Sequence, residues 1–232
     1  MSAAIEPPRG LVLAAGGWII ASTLIAFPLQ MPLYLAPSSL SPAIVMTVLM
    51  CAAGMWIAWP LMRLSQPPRE RVVWCAIVDA LALACLWQLL IWPLRLGTAW
   101  PIERTLLIDL HGICGLLAVT GIIAAGQAMR SSIARTAAML ACLLIGVGFQ
   151  LPLAAIGLVH PNLSSWFPSG IPGLLARINS PASLPDTVQW NDLLHASIVA
   201  SVICALGFLI AIAASRALDS QSSAVAIGRR VG

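Results

Sequence analysis

The stretch 105-TLLIDLHGICGLLAVTGIIAAGQAM-129 decides how this sequence is read. It is apolar over more than the roughly 20 residues that a helix needs to cross the ~30 Å hydrocarbon core of a bilayer. Near one end it nevertheless carries Asp109 and His111. An ionisable side chain in hydrocarbon costs about 2.5–3.5 kcal/mol on insertion scales, so each of these two needs a partner or a purpose.

The rest of the chain is of the same kind. Of its 232 residues 60% are hydrophobic and 9% charged, with a mean hydropathy of +0.95, whereas a soluble domain is about a quarter charged. The pattern predicts an all-α integral membrane protein, a bundle of about six transmembrane helices. The spans fall at approximately 11–27, 43–62, 72–93, 105–129, 136–159 and 192–215, with a connection at 160–190, a short N-terminal segment at 1–10 and a tail at 216–232. The first span is longer than a signal-peptide core of about 7–15 residues and lacks a small-x-small cleavage site after it, so it reads as a span.

The net charge of +4 comes from arginine alone, and these arginines stand between apolar segments. They therefore read as topology signals rather than a nucleic-acid footprint. Nine of them, including Arg63, Arg71, Arg130 and Arg135, fall on one side, and only Arg95, Arg104 and Arg177 on the other. The positive-inside rule then places both termini in the cytoplasm, with a bacterial inner membrane as the expected location. The six cysteines lie inside apolar segments without a CxxC pair, which makes them small hydrophobes rather than a disulfide or thiolate-metal framework. The sequence has no Walker A, G-x-G-x-x-G, H-E-x-x-H or G-x-S-x-G motif, so direct nucleotide binding is not expected. The expected partners are the lipid bilayer and other membrane-protein subunits.

With this topology Asp109, His111, Asp192 and His195 share the outer third of the bundle, Gln150 lies at a similar level and His160 opens the outer loop. His111, Cys114, Ala118, Gly121 and Ala125 form one small-residue stripe, and Ala196, Ala200, Cys204, Gly207 and Ala211 form another. Such stripes let helices approach closely, so His111 is expected to face protein. Asp109 lies roughly 160° around the helix from His111. Its bland reading is a pairing with Arg104 or Arg95, that of Asp192 is an N-cap for the last span, and that of the two histidines is an interhelical hydrogen bond. The functional readings are haem b ligation or metal binding (copper) by His111 and His195, or a quinone headgroup served by a histidine and a carboxylate. Asp79, nearer the cytoplasmic side, is a proton or cation candidate. The nine tryptophans read as an aromatic belt at the span ends.

Three function classes follow: a membrane subunit of a redox or energy-transducing complex, a small transporter or permease subunit taking a solute from the outer side, and an assembly subunit without a ligand. The sequence leaves all three open, along with whether the chain is an enzyme.

Overall fold

A computed structural model of the chain describes residues 9–27, 37–67, 71–98, 100–148, 169–179 and 185–231. Among the described residues every regular element is helical: α1 (Arg9–Ala26), α2 (Pro37–Ala53), a π-helical turn (Gly54–Ala58), α3 (Trp59–Ser65), α4 (Val72–Thr98), α5 (Ile102–Ala128), α6 (Ser132–Val147), α7 (Gly170–Ile178) and α8 (Thr187–Val231). Five stretches are long and apolar enough to cross a membrane: Arg9–Ala26, Ser41–Ser65, Val72–Thr98, Ile102–Ala128 and Thr187–Ala217. The helix in the expected fifth span, α6, has 16 residues, a rise of about 24 Å. It begins at Ser132 and is capped by Gly148 (φ 91°), and the remainder of the expected span, 149–159, lies outside the described residues.

The centre of the bundle is α5, whose long contacts are with α8 and α4. Its small stripe does what the sequence suggests. A Cβ on Gly121 would stand 2.5 Å from the Cys204 Cα, and one on Gly207 would run into the Gly121 backbone, so the two helices meet backbone to backbone. At the arginine-rich end the contact continues through Ala124, Ala128 and Ala211 together with Ala76 of α4. In hydrocarbon no hydrophobic effect holds helices together, so this close van der Waals approach is the main adhesion available.

Pro60 and Pro93 sit inside described helices, with different consequences. Pro60 has no N–H to return to the preceding turn, and the helix before it widens, with the Trp59 N–H bonding five residues back to the Gly54 carbonyl. Pro93 was expected to end the third span, yet α4 continues through it to Thr98. The tryptophans depart from the belt pattern as well. Trp18, Trp74 and Trp92 are exposed, whereas Trp56, Trp59, Trp87 and Trp100 are buried in the core. The indoles of Trp56 and Trp87 lie flush on α5, in the space that side chains on Gly115 and Gly112 would occupy. Their Nε1 atoms donate to the Gly112 and Asp109 carbonyls at 3.2 and 3.4 Å.

Candidate functional site

At the end of the bundle opposite Arg63 and Arg130, α5, α7 and α8 converge on His111. The histidine is 4% exposed. Its ring stands edge-on to Trp56, with centroids 5.7 Å apart and planes at 62°. Nε2 lies 3.2 Å from the Gly170 carbonyl. A carbonyl can only accept, so Nε2 carries the proton and Nδ1 is left as an acceptor. That Nδ1 is buried and has no hydrogen-bond partner among the described residues.

Gly170 can present its carbonyl there because of its backbone. Its φ is 58°, in the left-handed region, and a Cβ on it would stand 2.6 Å from the carbonyl oxygens of Ile145 and Gly146. The first turn of α7 is thus docked on the end of α6 and at the same time roofs His111. Gly170→Ala is expected to destabilise the protein by at least the 1–2 kcal/mol or so of a left-handed non-glycine residue. The overlap with α6 adds to this, and the check is a lowered thermal midpoint together with faster proteolysis near α7.

The α7 helix also contributes Arg177, a buried residue that donates from Nη1 to the Gln189 carbonyl at 3.1 Å. Its guanidinium is within electrostatic reach of His111, Cys114 and Asp192. Burial lowers the Arg177 pKa from its ordinary value, and the negative charge of Asp192 opposes that shift. The cluster therefore combines a neutral buried acceptor, a cation and a half-buried carboxylate drawn from three helices.

The other expected site residues are placed differently. Asp109 points away from His111, as the helical angle requires, and both its oxygens accept from Gln88 Nε2 at 2.9 Å. Gln88 in turn accepts from Trp92 Nε1 at 2.6 Å. The observed partner of Asp109 is thus an amide of α4, while Arg95, one of the two arginines expected to pair with it, donates to the Trp100 carbonyl. Asp192 does not cap the last span. α8 starts earlier, at Thr187, where Asp186 Oδ1 accepts from the Gln189 N–H at 2.8 Å, and this leaves Asp192 free of backbone duty one turn inside the helix. His195 is half-buried on α8, three residues beyond Asp192. Gln150 and His160 lie outside the described residues. Asp79 forms an ion pair with Arg63 at 2.9 Å, remote from the His111 cluster.

The metal readings can be set against this donor set. Among the described residues no group of three or more His, Cys, Asp or Glu side chains comes together. In His111 the Nε2 nitrogen is committed to Gly170, which leaves Nδ1 as its one lone pair. An isolated acceptor of this kind matches a hydroxyl donor better than a copper or haem-iron coordination sphere.

Sequence reasoning did not include Arg177 in the site. A signal for it was present, since it is a lone cation in the otherwise uncharged nonapeptide Gly170–Ile178. Comparisons with models of known protein families, with curated proteins and with solved structures give no match.

Proposed function

We propose that this chain is a membrane-embedded subunit of a redox complex, with six spans and both termini in the cytoplasm of a bacterial cell, and that the His111 cluster takes the headgroup of a quinol at the outer side of the membrane. The observation that carries this reading is the unpaired Nδ1 of a fully enclosed histidine. A buried acceptor without a donor costs about 1–3 kcal/mol. A quinol hydroxyl removes that cost by donating to Nδ1 and is then placed to lose its proton to the imidazole.

Asp192 supports the same reading. It is half-buried, coupled to Arg177 and close to the start of α8, which suits it to pass a proton to the outer water. The electrons of the quinol leave to a redox carrier held by a partner subunit. Any nucleotide chemistry in such a complex belongs to another chain.

The test is binding of a short-chain benzoquinol to the protein purified in mild detergent with its co-purifying subunits. Binding is expected to weaken at least about tenfold in His111→Ala, the worth of a hydrogen bond to a buried group, with partial recovery in His111→Gln, whose amide oxygen can accept. If quinol does not bind and His111→Ala instead abolishes uptake of an external solute, the chain is a transporter. If the parent assembly keeps full activity with His111→Ala and His195→Ala, the subunit is a scaffold.

A further inference from the structure

Asp109 faces α4, on the opposite side of α5 from His111, and takes no part in the quinol site. It is 4% exposed and lies roughly 10 Å inside the start of α5. A carboxyl enclosed in a span calls for a counter-charge or for a function. Asp79 meets that demand with an arginine at 2.9 Å. Asp109 does not. Burial and the hydrogen bonds of α4 are what act on it, and no charged side chain among the described residues is within electrostatic reach. Trp87, Gln88 and Trp92 face it from α4, and none of them titrates. On its own helix Glu103 and Arg104 stand in the first turn, more than one turn away, and His111 points to the other side.

The direction of each hydrogen bond in this group is set by Trp92. An indole N–H can only donate, so Trp92 Nε1 claims Gln88 Oε1, at 2.6 Å. That turns the amide nitrogen of Gln88 to Asp109, where it stands 2.9 Å from both carboxyl oxygens. The arrangement suits a carboxylate, which only accepts, and leaves the O–H of a carboxylic acid without an acceptor on α4. The acceptor that the pair can offer is Gln88 Oε1, and presenting it requires the amide to turn over. Gln88 Nε2 then faces Trp92 Nε1, donor against donor, and the indole loses its bond. Trp92 is 37% exposed and lies roughly 9 Å from the Thr98 end of α4, so the change reaches the surface of the bundle.

We propose that Asp109 is a proton-binding site that exchanges with water at the Thr98 end of the bundle, and that its loading turns the Gln88 amide and frees Trp92. The step is a plain proton transfer. One O–H bond forms on the carboxylate, the proton comes from solvent, and no electron moves. Trp92 carries the protonation state of a buried group to the face of α4 that a lipid or a neighbouring subunit can sense.

The experiment is infrared difference spectroscopy of the full chain in lipid nanodiscs, stepped from alkaline to mildly acidic pH, with tryptophan fluorescence read on the same samples. Wild type is expected to gain the C=O stretch of a buried carboxylic acid, a band shifted in deuterium oxide and missing from Asp109→Asn. In step with it the fluorescence of Trp92, taken as wild type minus Trp92→Phe, should change with a one-proton dependence. Gln88→Leu should keep the carboxyl band and lose the change at Trp92. A wild-type spectrum that matches Asp109→Asn at every pH overturns the proposal and leaves Asp109 as a fixed polar clamp between α4 and α5. A Trp92 signal that stays flat, or that follows the carboxyl equally in Gln88→Leu, overturns the coupling. Trp92→Phe changes a partly exposed ring to a smaller one, so the titration of the Trp92 signal stays decisive even where Asp109→Asn does not fold.

Discussion

Gly207→Ala, the addition of a single methyl group, is expected to lower the stability of this protein by more than about 3 kcal/mol, at or beyond the upper end of overpacking costs. Ordinary overpacking is relieved by rotating a side chain. Here the obstacle is the backbone of Gly121, and the reciprocal contact of Gly121 with Cys204 is backbone as well. The helices can only move apart. Separation would lose the most extensive helix contact in the bundle, that of α5 with α8, and nothing in hydrocarbon replaces it. It would also carry Asp192 and the Gln189 carbonyl away from Arg177, so the His111 site should loosen together with the fold. The measurement is the thermal midpoint in detergent by size-exclusion recovery, with Leu209→Ala as the control. Leu209 is on the same helix but is 62% exposed, and its truncation should leave the midpoint nearly unchanged. A Gly207→Ala protein that melts with the wild type would show that α5 and α8 do not touch through this stripe.

The Gly207 contact was legible in the sequence because small residues at helical spacing have few other uses in an apolar span. The same holds for the divergence of Asp109 from His111, which follows from 3.6 residues per turn. Other features were hidden for identifiable reasons. Helix continuation through Pro93 is one of them, because a proline in an apolar run carries no local sign of whether the helix ends there or runs on. Trp56 and Trp87 read as interfacial because tryptophan usually is. They are buried because Gly112 and Gly115 leave indole-shaped room on α5, a complementarity between segments far apart in sequence. The place of Arg177 in the site depends on α7 folding back over α5, which composition cannot show. The expected capping role of Asp192 failed for a simpler reason: α8 begins at Thr187, and Asp186 already holds the cap.

The second large effect is expected at the opposite end, where Arg63 and Asp79 meet at 2.9 Å with side chains 5% and 4% exposed. Asp79→Ala should cost about 3–5 kcal/mol, because it takes the paired carboxylate away from a buried guanidinium. The loss is not a measure of what the pair contributes. Taking both ions out of water is itself expensive, so Arg63→Met combined with Asp79→Leu should recover most of the stability lost in either single variant. The recovery is helped by a contact the double variant keeps, since Gln127 Nε2 donates to the Arg63 backbone carbonyl at 2.7 Å rather than to its side chain. A thermal double-mutant cycle gives the coupling directly. Near-additive losses would mean that the two groups are stabilised by other partners. The same variants also test Asp79 as a proton or cation site. A carboxylate that only neutralises Arg63 can be replaced, together with its partner, without loss of function. If the stable double variant is inactive in its parent assembly, Asp79 is doing chemistry that an apolar pair cannot do.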